Sequence, residues 1–586
     1  MQNESGNICD MNIASLKRAA RNGSIPAMKE LATRAMQKNH LLAQVFPLVQ
    51  QRLSDVPTRD EASTQMALIC FDSLIYGLEN DLIGNSAALL LPLWHSIHPW
   101  LSFFVTQYHL DLTESAVDDH EALLKSAKLV YLFSRIPEVL SLLTSVPRLV
   151  GCIFKMSLIA ASVDYDSDIF ISTSKTITLV TAAADQLDQG WQVDVSHVLT
   201  SEAPANLALC IVQRLIELVE KPQILYPDLI ARLETMLICS GNDGKLRLQF
   251  FSKKSVAWVT FVMGRLTRTR NLEPINLPQA RRAMYLSVMY LKKNLRCGFT
   301  WVSDALDKGI LQSIVKAQPY LAYEHQCRTD AFTMESMIVE ILDTISLLAI
   351  YRSVLHRART SLRRAEAMED VENFRGVVRD AWVRLKDKVD YLWNLRPIYF
   401  MARGGRTSCM NDDCITRRQG DTSSRIYDMR CSGCQYAYYC SHQCAKSGWR
   451  DGHRAQCLEL RRQFREGHPR LMSPNEDEWF IVVGQSEVYR TLDGKETVDA
   501  LRSAYHDAHP SVPNHSVLTF IDYTVLPGPK IEVMSLQDFV STRDMGYYHW
   551  ERYRDLAIER NGFLLGITIP DRDLHPYNCL ALSREH

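Results

Sequence analysis

Apolar residues recur at helical intervals through the first two thirds of the chain. Leu207, Ile211, Leu215 and Leu218 share one face, and Lys221-Pro222 closes that stripe. Leu229, Leu233 and Leu237 form the next, closed by Ser240-Gly241. Met334, Ile338, Ile341, Ile345 and Leu348 repeat at spacings of four, three, four and three, and Val378, Trp382, Leu385, Val389 and Leu392 do the same. Strand-like alternation is scarce here; its best candidate is Ile169-Phe170-Ile171-Ser172. The most apolar stretch, Ala87 to Val105, contains Pro92, His95, His98 and Pro99, so it predicts a buried helix pair rather than a membrane span.

Many amphipathic helices with short connectors predict a mainly α region over 1–396, built as a helical bundle or as a stacked, armadillo-like solenoid. No clean fixed-period repeat is present, so helix number and length alone favour the solenoid. Pro397 and Gly404-Gly405 mark a boundary. After residue 470 the pattern changes. Val517 to Asp522, Ile531 to Met534, Phe563 to Ile569 and Cys579 to Leu582 predict strands, and Tyr547 to Arg560 predicts a helix. Residues 470–586 therefore predict a small α+β segment.

Charge narrows the function classes. Lys+Arg 66 nearly cancels Asp+Glu 67, so no global field favours nucleic acid or an anionic membrane. The cluster Arg352, Arg357, Arg359, Arg363 and Arg364 reads as a solvated helix face before it reads as a nucleic-acid patch. The opening MQNESGNICDMN lacks the charged and apolar runs of a secretory leader, so an intracellular setting, cytoplasm or nucleus, is expected. Of fifteen cysteines, eight stand singly: Cys9, Cys70, Cys152, Cys210, Cys239, Cys297, Cys327 and Cys579. The other seven crowd between Cys409 and Cys457, which suits a reducing compartment with one metal module.

Within 405–460 the candidate ligands are Cys409, Cys414, Cys431, Cys434, Cys440, Cys444, His453 and Cys457, with gaps of four, sixteen, two, five, three, eight and three residues. Two thiolates a few residues apart can reach one tetrahedral ion, because a tight turn brings both sulfurs within about 2.3 Å of it. Four such pairs fill two closed sites and leave no open position, which predicts two structural zinc ions and no catalytic metal. A histidine in the last pair and the eight-ligand count favour zinc over an iron–sulfur cluster. Spacing alone leaves the pairing open: sequential and interleaved arrangements each give one site of four cysteines and one of three cysteines with a histidine.

Tyr439-Cys440-Ser441, Cys444, Trp449, Gly452-His453 and Cys457 resemble the second half of a MYND zinc finger. The resemblance implies interleaved pairs. One ion would take Cys409, Cys414, Cys440 and Cys444, and the other Cys431, Cys434, His453 and Cys457. It also implies protein partners, because MYND fingers of corepressors grip proline-rich peptides with a glutamine after the sixth ligand and a tryptophan four residues later. Trp449 is present, but the glutamine position is Ala445. Two further departures are the wider first pair and the long basic loop from Ile415 to Arg430, expected to protrude. His442, between two ligands, is expected to face outward. The layout as a whole resembles MYND-containing proteins of mushroom-forming fungi.

The expected function is a zinc-binding protein–protein interaction adaptor, regulatory or transcription-related, with no catalytic residues. The alternative is a SET-MYND-like protein lysine methyltransferase, since Asn514-His515-Ser516 is similar to that family's cofactor-binding motif. Against it, Val517-Leu518-Thr519 follows where the motif's continuation belongs, and Cys579 stands alone where a cysteine cluster is required. No Gly-rich phosphate loop or nucleophile elbow is present. Direct DNA binding would use the basic loop, and near-zero net charge argues against it.

Overall fold

A computed structural model describes residues 11–583 apart from short segments, chiefly 108–116, 146–166, 187–202, 269–275, 322–332, 404–408, 415–428 and 543–562. The chain divides into two compact units, Met1–Phe250 and Phe251–His586. The predicted helix at Tyr547–Arg560 lies almost wholly outside the described residues, as does most of the loop after Cys414.

The first unit is helical: α1 (Ile13–Arg21), α2 (Ile25–Gln37), α3 (Asn39–Leu53), α4 (Glu61–Glu79), α5 (Ala87–Gln107), α6 (Val117–Ser134), α7 (Pro137–Ser145), α8 (Ser167–Gln186), α9 (Ala203–Glu220), α10 (Tyr226–Asn242) and α11 (Gly244–Ser252), whose last two residues belong to the second unit. Side-chain caps start several of them: Asn12, Ser24 and Asp60 accept from the backbone N–H groups of Ser15, Ala27 and Ser63. Alternate helices stack in two rows. α2, α4, α6, α8 and α10 pack in succession, and α1, α3, α5 and α7 form a second row.

Two expectations are corrected here. Ile169-Phe170-Ile171-Ser172 lies in α8 and is not a strand. Its β-branched residues suggested one, but Phe170, Thr173, Ser174 and Ile177 are buried at helical spacing. The hydroxyls on that face are satisfied within the helix or by its neighbour: Thr176 donates to the Ser172 carbonyl, and Ser174 donates to that of Ala231 in α10. The stretch from Ala87 is one helix rather than a pair. Pro92 and Pro99 lie inside α5, and Trp94, Ile97, Trp100, Leu101 and Phe104 are buried along it. Among the described residues, no helix is long and apolar enough to cross a membrane.

The second unit continues with α12 (Ser255–Leu266), α13 (Leu277–Leu295), α14 (Phe299–Asp307), α15 (Ile310–Lys316), α16 (Gln318–Leu321), α17 (Met334–Leu348), α18 (Arg352–Glu366), α19 (Gly376–Asn394) and α20 (Arg396–Arg403). α12, α13, α17 and α19 pack in succession, while α14 and α15 lie against α18. Both predicted stripes are core: Ile338, Ile341 and Ile345 on α17, and Leu385, Val389 and Leu392 on α19, are fully buried. Pro397 does not break the chain, because it occupies the first turn of α20, where its missing N–H costs nothing.

Beyond the cysteine-rich region come α23 (Pro474–Tyr489) and α24 (Leu492–Ala508), both helices that strand-seeking patterns did not suggest. Then follow β3 (Val517–Asp522), β4 (Lys530–Ser535), α25 (Leu536–Thr542), β5 (Phe563–Pro570) and β6 (Pro576–Ser583). The sheet order is β4-β3-β5-β6, with β3 and β5 parallel and the outer pairs antiparallel. Leu518, Phe520, Leu536, Phe539 and Leu564 form its core.

This tail is bound to the turn between α17 and α18. Trp479 Nε1 donates to the Ile350 carbonyl at 2.6 Å, and the Tyr351 hydroxyl donates to the Pro570 carbonyl at 2.9 Å. The buried Glu476 carboxylate accepts from the Arg352 N–H at 2.9 Å and so caps α18 from a distant part of the chain. Burial pushes that carboxyl above its usual range, while the Arg352 backbone and guanidinium oppose the shift.

Candidate metal centre

β1 (Met429–Arg430) and β2 (Tyr438–Tyr439) form a short antiparallel hairpin, with Met429 opposite Tyr439. The turn between them carries Cys431 and Cys434. Gln435 sits at φ 57°, which curls the chain so that the Tyr436 N–H donates to Cys434 Sγ at 3.4 Å. Cys409 and Cys414 flank the hairpin, and the Met410 N–H donates to the Tyr438 carbonyl at 2.9 Å. Cys440 follows β2. Ser441 caps α21 (His442–Gly448) by accepting from the Cys444 N–H at 3.1 Å, and this holds Cys444 beside Cys440.

A short wide turn, Trp449–His453, then leads into α22 (Arg454–Arg465). Gly452 has φ 123°, a conformation that breaks the helical path and that other residues rarely adopt. His453, at the N-cap of α22, and Cys457 stand four residues apart on one side of it. Gly448 is the other glycine with a defined task. A Cβ there would lie 2.7 Å from the Tyr439 ring, so its absence lets Tyr439 bury between the hairpin and α21.

The eight candidate residues converge in two groups. Cys409, Cys414, Cys440 and Cys444 place their sulfurs within 4.8 Å of one another, and Cys431, Cys434, His453 and Cys457 do the same with their ligand atoms. The grouping is interleaved, not sequential. A tetrahedral ion with Zn–S bonds of about 2.3 Å needs ligand separations of about 3.8 Å. Sγ to Sγ is 3.6 Å for Cys414–Cys440, 3.6 Å for Cys440–Cys444 and 3.8 Å for Cys431–Cys457. Cys434 Sγ lies 3.7 Å from His453 Nε2. These separations are far too long for disulfides and match tetrahedron edges. Two Cys/His clusters thus fit two zinc ions, with every position filled by protein.

Without metal the thiols differ in their hold on protons. Burial pushes Cys440 and Cys457 up to about 12, reinforced by the neighbouring sulfurs of each group. Burial also opposes ionisation at Cys431, but hydrogen bonds from His453 and the Cys434 and Gly433 backbone bring it to about 6. Cys444 reaches about 7 in the same way, through Asn411 and Ser441. Each group therefore holds one thiol that ionises more readily than a free cysteine and one whose proton is held tightly and must leave before a metal can be bound.

His442 is exposed. Trp449 has two faces: its ring meets the His453 ring edge-on at 5.7 Å, yet 39% of the residue is exposed. Ala445, one turn earlier on α21, is half-buried.

The finger is also anchored to the helices of its own unit, through contacts that residue spacing did not reveal. Phe251 stacks on Trp301 at 4.5 Å, Trp301 on Phe464 of α22 at 6.4 Å, and the Arg470 guanidinium lies 4.6 Å from the Phe464 ring centre. Arg470 also donates to the Gln435 side chain in the hairpin turn, and its backbone N–H donates to Thr300 Oγ1 at 3.0 Å. Asn514-His515-Ser516 forms a single 3-10 turn leading into β3, with none of the three buried.

The family model described as the MYND finger matches residues 421–457. Cys409 and Cys414 precede that match, and the fold supplies them to the first group. No curated protein matches the chain. The chain thus carries a MYND finger, a zinc-binding protein-interaction module.

Proposed function

We propose that this protein is an adaptor in which Cys409, Cys414, Cys440 and Cys444 hold one zinc ion and Cys431, Cys434, His453 and Cys457 hold a second. Each ion crosslinks loops that have little apolar core of their own, and its contribution is to folding. The observation that carries this reading is the closure of both groups: four protein ligands each, with no position left for substrate or water. The stacked helices, an armadillo-like solenoid in this reading, offer an extended surface for a partner, and the anchored finger extends it. A regulatory or transcription-related role is the setting in which such adaptors are expected.

Trp449 supports a contribution from proline-rich peptides, since its exposed ring can take a prolyl face. Ala445 weakens that site by offering a methyl where a glutamine amide could bond the peptide backbone. Losing such a bond costs about 0.5–1.5 kcal/mol, a several-fold effect. Titrating a Pro-x-Leu-x-Pro peptide into the full chain tests it. Weak wild-type binding that Ala445→Gln strengthens supports helices as the main recognition surface. Tight wild-type binding abolished by Trp449→Ala would make the finger the principal docking site instead. The methyltransferase alternative rests on Asn514-His515-Ser516 alone. A heat of S-adenosylmethionine binding that His515→Ala removes would replace the adaptor reading with it.

A further inference from the structure

In the second unit a cavity of about 330 Å³ opens where α12, α14, α15 and α18 end. That volume is at the small end of ligand sites. Its lining includes Arg268 after α12, Lys308 after α14, Lys316 at the end of α15 and Arg364 in the last turn of α18. We propose that this cavity binds a phosphate ester, with these four cations around its oxygens.

Charge accounting separates this from an ordinary solvated face. Basic residues at helix ends commonly offset the carbonyl dipole, which amounts to about half a negative charge per helix. Four helix ends need roughly two charges, and four cations exceed that by roughly two. Asp307 is the acidic side chain in the lining, and it is engaged elsewhere: Arg357 Nε donates to it at 2.8 Å.

The basic run on α18 shows the same division. Arg357 and Arg359 pair with Asp307 and Asp390, and Arg352 lies over the Tyr399 ring. Arg364, turned to the cavity, has no acidic partner among the described residues, and neither have Arg268, Lys308 or Lys316. The polar floor is already satisfied within the protein, since Gln312 and Ser361 bond each other and Ser313 donates to the Gly309 carbonyl.

The cations come from four separate segments, so the concentration of charge is a property of the fold rather than of one helix. A concave wall with an excess of one sign focuses the field on its centre. A phosphate ester carries about two negative charges and three acceptor oxygens. Two guanidinium forks and two ammonium groups match that chemistry better than a single carboxylate would. The ester can be a free small molecule or a phosphorylated side chain of a partner.

The test uses the full-length, zinc-loaded chain and calorimetric titration at low salt. The probes are glycerol 3-phosphate, a phosphoserine peptide and the same peptide unphosphorylated. Binding of glycerol 3-phosphate alone marks a small-molecule site, tighter binding of the phosphopeptide marks a partner's side chain, and either result supports the proposal. Arg268→Gln combined with Arg364→Gln should weaken binding by at least about tenfold. Arg363→Gln, on the same helix but outside the cavity, should leave it within about twofold. No binding of either phosphate probe, or equal loss in the Arg363 variant, overturns the proposal. Zinc content, measured on the same samples, reports independently on the finger.

Discussion

The finger and the α17–α19 layer both have interiors, but of opposite composition. On α17, Ile338, Ile341, Leu342 and Ile345 are buried against neighbours of the same kind, and removal of apolar area from water holds them. In the finger, the buried cluster is Cys409, Cys414, Cys434, Ala437, Tyr439 and Cys457, of which four are cysteines. A cluster of thiols separated by tetrahedron edges is poorly packed by itself, and like charges would drive it apart once ionised. One region is stable because water is excluded; the other is stable only when a cation gathers its sulfurs.

The largest effect that sharpens this contrast is chelation. Structural zinc contributes on the order of ten kcal/mol to such modules. Elemental analysis should find two zinc ions per chain. Their removal should expose the amides of 409–457 to hydrogen exchange while far-ultraviolet dichroism keeps its helical signal. One ion or none in the intact protein would break the comparison. Acid should act in the same direction. Cys440 and Cys457, pushed up to about 12 without metal, regain protons as pH falls, so zinc is released on acidification and retained on the alkaline side. A chromogenic chelator would follow the release, and zinc retention that does not vary with pH would contradict it.

The next effect is the loss of a single ion. Cys414→Ala and Cys440→Ala should each remove the same ion, and their combination should be little worse. Cys414→Ala with Cys457→Ala should remove both. Additive loss in the first pair would return the sequential pairing.

On the apolar side, Ile345→Ala should destabilise the helices by about 2–5 kcal/mol, read by denaturant unfolding, with zinc content unchanged. Smallest is Arg470→Ala, which removes the bridge from the hairpin turn to the helices. Two zinc ions should remain, and exchange protection should fall mainly in α22 and around Gln435. Loss of metal in this variant would show that anchoring and metal binding are one event.

The contrast also governs what the chain disclosed before folding. Ligand spacing marked all eight residues, since metal chemistry demands particular side chains at short intervals. The interleaving came from resemblance, because spacing cannot say which turns meet. Stripes such as Met334 to Leu348 were legible, since each buried position is apolar and at helical intervals. The segment from Ile169 was misread because its buried face is half hydroxyl, which hydropathy does not see. α23 has a related cause: Asn475 and Glu476 are buried at its start, where an apolar stripe would be expected. The Arg470 bridge joins residues distant in sequence and left no local trace.

The turn at Ile350–Arg352 has a consequence for how this protein is made. Its carbonyl, hydroxyl and amide are met by Trp479, Pro570 and Glu476, partners that lie 129, 219 and 124 residues onward. At about 5–20 residues per second, a ribosome needs roughly ten to forty seconds to deliver the farthest of them. Until Glu476 emerges the start of α18 stands uncapped, and until Pro570 follows its apolar surroundings stay partly uncovered. The nascent chain therefore passes through a stage, timed by translation speed, at which a holding chaperone has something to bind.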